Sequence, residues 1–364
     1  MTDTLYGSAA SLFTGKARAY LDWKNVDYRE IAPDQKVRDE LIMPTIGRMV
    51  IPVVELADGT VLQDTSIIID HYEAASPGPS VYPDGPRQNF AALLLECYGD
   101  EWLVIPAMHY RWNYNEEWIY GEFGRSMAPD APADQRVAIG KAIGERFRGF
   151  VPMLGINDAT IPAIEASYEA LLADLDKHFR AQDFLFGTRP SIGDYGLIGP
   201  LYAHLYRDPA SGEIMKRLAP HIAQWVERMV TVSQPLSGEF LPDDEIPRTL
   251  LPILKRMMTE QLPNLVRTAE LMADWGQSTA DRELPRAVGM AEYSLGGVTS
   301  ARIASPFSLW MLQRALDYLA TLSGDDRAAC EALLRETGEE ALLDFQMPFR
   351  LKFENHRLWR EEAT

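Results

Sequence analysis

The sequence predicts an α/β domain followed by an all-α domain. Three observations carry this. The first 75 or so residues alternate strand-like and helix-like segments in the order β-α-β-(α)-β-β-α. A Pro/Gly-rich stretch, SPGPSVYPDGP, then breaks the chain at residues 76–86. Beyond it nearly every segment has helical periodicity. A chain of 364 residues has room for two or three domains. The expected division is a first domain at 1–76, a linker at 77–86, a helical domain at 87–232, and a helical extension at 233–364 packed on it.

Each element has its own reason. TLYG (4–7) is a short apolar start that reads as a strand. In TGKARAYLDWK (14–24), Ala17, Tyr20, Leu21 and Trp23 form one helical stripe with the cations outside it. VDYREI (26–31) alternates as a half-buried strand does, and the charged residues 34–41 suit a short helix. MPTIGRMV reads as a loop because of Pro44 and Gly47. IPVVEL and TVLQ flank Ala57-Asp58-Gly59, and Asp-Gly between apolar runs signals a hairpin. TSIIIDHYEAA (65–75) is then a helix that stops before Ser76-Pro77-Gly78-Pro79. A strand–helix–strand start implies parallel pairing, and the hairpin adds antiparallel strands.

After the linker, helices are expected at 87–122, 134–152, 162–180, 192–206, 219–231, 244–275, 305–322 and 325–343. Pro247, Pro252 and Pro263 kink or break the run at 244–275. GGVTS (296–300) reads as a turn, and Pro306 suits the first turn of the amphipathic helix that follows.

The composition narrows the chemistry. A formal net charge of −18 disfavours nucleic acid and anionic membrane surfaces, whose phosphates would be repelled. The only cysteines, Cys97 and Cys330, lie far apart, so no disulfide framework and a reducing, cytoplasmic setting are expected. No metal-ligand cluster appears among the six histidines. MTDTLYGSAA lacks the pattern of a signal peptide, and no apolar run is long enough to span a bilayer.

One helix start stands out. In FLFGTRPSIGDYG, Ser191 precedes Asp194 by three residues, a capping-box spacing with Asp in place of Glu or Gln. Taken with LYGSAASLFTGKAR, IPVV and QDTSII, this resembles the cytosolic glutathione transferase superfamily over roughly residues 4–232. The resemblance implies a thioredoxin-like first domain, a proline linker and a helical second domain, here with extra helices. Residues 233–364 exceed the family's usual length.

The resemblance also implies a site. Pro52 would follow a cis bond, freeing the N–H and C=O of Ile51 to pair with a peptide-like ligand. Asp64 and Thr65, at a helix N-terminus, would take the ammonium and carboxylate of glutathione's γ-glutamyl end. Asp64-Thr65 departs conservatively from the family's Glu-Ser. Arg48 would bind the glycyl carboxylate. Ser11 is the first candidate to activate the thiol, followed by Thr14, Tyr6 and Ser8. His109, Tyr110, Trp112, Tyr114 and Trp118 are candidates for an aromatic wall against a second substrate, although aromatics at this spacing also build cores and interfaces.

The expected activity is attack by a glutathione thiolate on a small hydrophobic electrophile, with glutathione as co-substrate and a homodimer as the assembly. The alternative is a non-catalytic member of the fold used in binding or assembly. Thiol–disulfide exchange is disfavoured because residues 8–14 contain no cysteine.

Overall fold

The computed structural model describes residues 2–76, 78–231, 237–338 and 340–361. The first domain is built on a four-stranded sheet of order β2-β1-β3-β4. β1 (Asp3–Tyr6) pairs in parallel with β2 (Tyr28–Ile31) across the crossover helix α1 (Leu12–Trp23). β3 (Val53–Glu55) runs antiparallel to β1, and β4 (Val61–Gln63) antiparallel to β3. Strand alternation sends Leu5 and Val54 to one face, where α1 and α4 (Thr65–Ala75) cover them. Tyr6 and Val53 point to the other face, against Ile42 and Ile46.

One expectation here was too short. MPTIGRMV is half helical: α2 (Gln35–Val37), a π turn at Arg38–Ile42 and α3 (Met43–Ile46) form one run that stops at Gly47, whose φ is +77°. Ile42 and Ile46, four residues apart, are buried together, which rewards continuing the helix. Pro44 lies inside this run and cannot donate to it; the π turn at Arg38–Ile42 stands directly before it.

The helical domain opens with α5 (Pro86–Glu101), α6 (Val104–Tyr114) and α7 (Glu116–Met127), so the single helix expected at 87–122 is broken twice. α8 (Ala133–Arg148) folds back along α7. α9 (Ile161–Phe179), α10 (Ile192–Ala203), α11 (Pro209–Leu218) and α12 (Pro220–Met229) complete it. The capping box of α10 is fully formed. Asp194 accepts from the Ser191 N–H and hydroxyl, both at 2.8 Å, and also from the Leu185 N–H and the Trp225 indole, both at 3.1 Å.

The extension is not all helix, which corrects the expectation for residues 233–364. The proposed boundary at 232–233 itself lies outside the described residues. α13 (Leu251–Arg256), a π turn at Met257–Gln261 and α14 (Leu262–Ser278) lead into a hairpin of β5 (Met290–Leu295) and β6 (Val298–Ile303). Only Gly296-Gly297 forms the turn, both with positive φ; Val298–Ser300 belong to β6. Ala291, Tyr293 and Leu295 are buried on alternate positions of β5. α15 (Pro306–Thr321) and α16 (Gly324–Glu336) follow, so the last expected helix ends before 343. A second hairpin, β7 (Leu351–Glu354) and β8 (Arg357–Arg360), turns at Asn355-His356, both with positive φ. α15 packs on α5, and Arg314 pairs with Asp70 of α4 at 2.7 Å, so the extension covers one face of both domains.

Candidate functional site

Strand register assembles the site. Val53 lies opposite both Tyr6 and Gln63. The loop Gly7–Ser11 after β1, Ile51-Pro52 before β3 and Asp64-Thr65 after β4 therefore emerge at one end of the sheet. The Ile51–Pro52 bond is cis. Ile51 lies outside the ladder and has no backbone hydrogen-bond partner among the described residues. Asp64 caps α4 with a φ of +81°, accepting the Ser66 N–H at 2.9 Å. Burial pushes its carboxyl upward, opposed by nearby Lys16. Thr65 is the first residue of α4 and is almost fully buried.

Ser11 is the N-cap of α1 and accepts the Thr14 N–H at 3.2 Å. Its own proton has no acceptor among the described residues. The first turn of α1 contains no acidic residue, so the positive end of the helix dipole is not offset there. Thr14 is fully buried and accepts the Ser8 N–H at 3.3 Å; Ser8 in turn accepts the Ala10 N–H. Tyr6 points away from this loop. Its hydroxyl donates to Glu55 at 2.7 Å, and burial together with that carboxylate pushes the phenol up to about 12.

Two domain models of one family match the chain: "Glutathione S-transferase, N-terminal domain" over residues 5–80 and "Glutathione S-transferase, C-terminal domain" over residues 158–228.

The chain belongs to the glutathione S-transferase superfamily.

Solved structures to which the chain is similar include the β-etherase LigF from Sphingobium sp. strain SYK-6, 17% identical over 65% of this chain and 97% of that one, TM-score 0.46. The Tau class glutathione S-transferase MiGSTU from mango, Mangifera indica L., is 19% identical over 70% of this chain and 95% of that one, TM-score 0.42. A GST-like protein from Pseudomonas syringae is 22% identical over 64% and 68%, TM-score 0.40. No curated protein matches by sequence.

In this glutathione S-transferase superfamily member, the helical domain grips the loop that carries Ser11. Arg111 of α6 donates to the Ala10 carbonyl at 2.6 Å while its guanidinium forks onto Asp208 at 2.7 and 2.8 Å. Arg207 donates to the Ala9 carbonyl, pairs with Glu122 at 2.9 Å and lies 5.8 Å over the Trp118 ring. Neither arginine was singled out from sequence; both are single cations in apolar surroundings, with no local motif to mark them.

A second group, beneath the site, corrects the expectation that the cations of α1 lie outside its apolar stripe. Lys16 of α1 is fully buried and pairs with Glu96 at 2.8 Å and Asp100 at 2.6 Å. Burial opposes its charge, yet those carboxylates raise its pKa above the ordinary range. Ser66 donates to Glu96 at 2.7 Å. Acids four residues apart in the apolar stretch LLLECYGDE were the available signal.

Arg48 stands at the edge of the site, half-buried, donating to the Gln63 side chain at 3.3 Å and to the His356 carbonyl at 3.2 Å. The aromatic candidates divide. Trp112, Tyr114 and Trp118 line a cavity of about 610 Å³ with Glu117, Pro209 and Glu213. His109 and Tyr110 do not line it. They are core residues, His109 bonding Glu165 at 3.0 Å and Asn113 at 2.8 Å. Among the described residues no cluster suits a metal ion, and no helix is long and apolar enough to cross a membrane.

Proposed function

We propose that the chain binds glutathione on its first domain and uses Ser11 to hold the thiol as a thiolate for attack on a small hydrophobic electrophile. The observation that carries the reading is Ser11 itself: a hydroxyl polarised by the N–H of Thr14, with a free proton, at a helix start lacking acids. A thiolate placed there gains one O–H donor and the helix field, and both favour the ionised form.

The other groups follow the ligand's chemistry. The unpaired backbone of Ile51 suits the peptide portion of glutathione in strand fashion. Thr65 takes the γ-glutamyl carboxylate at the start of α4, Asp64 its ammonium, and Arg48 the glycyl carboxylate. Thr14 holds the loop from within; Tyr6, engaged by Glu55, is the weakest candidate for the thiol donor. The open hollow walled by Trp112, Tyr114 and Trp118 offers an aromatic face to a second substrate, with Glu116, Glu117 and Glu213 at its polar side, and Arg207 links it to the Ser11 loop through Trp118 and Ala9. A homodimer would pair through surfaces other than those of α4 and α5 that the extension covers.

The test is thermal unfolding with reduced glutathione, from micromolar to roughly ten millimolar. A ligand at 100 times its Kd adds about 2.7 kcal/mol. A saturable rise that disappears in Asp64→Ala supports the site, and no rise overturns it. The second reading is a non-catalytic binding or assembly protein, favoured by an extension that closes one face of both domains. Ser11→Ala separates them: lost turnover with retained glutathione affinity supports the enzyme.

A further inference from the structure

The second hairpin of the extension reaches the edge of the candidate glutathione site. Arg48 donates to the carbonyl of His356, at the turn between β7 and β8. The next residue, Arg357, lays its guanidinium over Gly47: a Cβ built there would lie 2.6 Å from Nη2. Gly47 therefore serves two ends, a positive φ that closes α3 and room for an arginine from 310 positions further along. The segment before β5 is joined to the same hairpin. Leu284 donates its N–H to Leu358 O at 2.8 Å, and Arg360 donates to Arg282 O at 2.8 Å. That pairing carries Arg286 alongside.

Arg48 and Arg357 thus meet at this edge, and the charge of Arg286 is felt at Arg48. Burial lowers the pKa of Arg48, and the like charges of Arg286 and Arg357 lower it further, while Asp64 and Glu283 oppose this. Arg357 is paired with Glu283. Asp64 is committed to the cap of α4 and, in the reading above, to an ammonium. Two positive charges, those of Arg48 and Arg286, are left without a carboxylate partner among the described residues. Arg286 is exposed, and the Arg357 side chain is 42% exposed, so a ligand can reach both.

We infer that the extension completes the glutathione site, with Arg286 and Arg357 joining Arg48 as a receptor for the glycyl carboxylate. The inference rests on the glutathione reading. It gives the hairpin a definite role: it is a wall of the binding site supplied from the far end of the chain. A carboxylate entering among the three guanidiniums relieves their mutual repulsion and gains charge-assisted hydrogen bonds. Glu283 competes with it for Arg357.

The experiment compares two ligands on the full chain by titration calorimetry: reduced glutathione and its monoethyl ester blocked at the glycyl carboxylate. The wild-type protein should prefer glutathione by roughly tenfold or more, the scale of one charged hydrogen-bonded contact. In Arg286→Gln/Arg357→Gln the affinity for glutathione should fall several-fold toward that for the ester, with affinity for the ester unchanged. Glu283→Gln should widen the preference by releasing Arg357. Both changes lie at exposed positions, and equal unfolding temperatures would show that the fold is retained. Binding of glutathione with an unaltered preference in both variants would overturn this inference and leave the glutathione reading standing. Binding of neither ligand by the wild-type protein would overturn both.

Discussion

Replacing Ser11 by Ala removes two things at once, and the structure lets them be weighed separately. The first is the cap of α1. The Thr14 N–H loses its 3.2 Å acceptor, a change that costs about 1 kcal/mol of stability at a typical N-cap. The second is the proposed thiolate donor. A free thiol has a pKa of about 8.5, so about 3% is ionised at pH 7. A shift of two units, within the range seen for thiols at helix N-termini, corresponds to about 2.7 kcal/mol and makes roughly three quarters of the thiol ionised at that pH. Lys16 is an unsuitable source of that shift, because its charge is already matched by Glu96 and Asp100 in the core. The donor and the acid-free start of α1 must supply it. The assay is the ultraviolet absorbance of the thiolate in the glutathione complex, titrated against pH. The Ser11→Ala midpoint should rise by one unit or more, and the acid limb of the turnover profile should rise with it. Ser11→Thr, which keeps the hydroxyl and the cap, should stay near the wild type. An unchanged midpoint in Ser11→Ala would refute the assignment and pass the donor role to Ser8.

Two further predictions concern the scaffold. Asp194→Ala strands the N–H groups of Leu185, Ser191 and Trp225 together with the Ser191 hydroxyl in the core, at about 1–3 kcal/mol for each donor that finds no replacement. A loss of at least about 3 kcal/mol in urea unfolding is expected, and a loss below about 1 kcal/mol would show that the box is dispensable. His178 is buried against Thr249 at 2.8 Å, and burial lowers its pKa to about 4. In the unfolded chain it titrates near its ordinary value of about 6.5, so the unfolded state takes the proton first as pH falls. Its contribution is therefore complete above about pH 6.5 and is lost as the pH falls toward 4, by up to about 3 kcal/mol. In His178→Gln the loss of stability between pH 7 and 5 should be smaller by that contribution, the remainder belonging to other buried groups such as His204, whose pKa burial also lowers; an identical slope in both proteins would assign the acid sensitivity elsewhere.

The elements legible in the sequence are those written in short-range chemistry. Asp58-Gly59 between two apolar runs marks the first hairpin, and Ser191 with Asp194 marks the start of α10. Ser11, Ile51-Pro52 and Asp64-Thr65 are candidates because the family resemblance assigns each a role at a loop or helix start. The second half of the extension was harder. Gly296-Gly297 is a good hairpin turn, but its flanks, Met290–Leu295 and Val298–Ile303, mix small and polar residues with few strong strand formers. Surrounded by helical sequence, only 296–300 reads as a turn, and 290–295 and 301–303 carry no assignment from sequence.

What the sequence determined by itself was therefore the order of the elements in the first domain, the ends of several helices, and the residue types at one end of a sheet. Those properties depend on neighbours within about four positions along the chain, where turn, cap and periodicity rules act. The tertiary structure alone decided which groups face one another. It turned Tyr6 away from the loop toward Glu55, and sank Lys16 between two carboxylates of α5. It divided the aromatic candidates of α6 between core and cavity, and brought His356 and Arg357 to Arg48 and Gly47 from the other end of the chain. A charged or aromatic side chain carries no local mark of its partner. Its burial, its charge balance and so its chemistry are set by elements that meet only when the chain has folded.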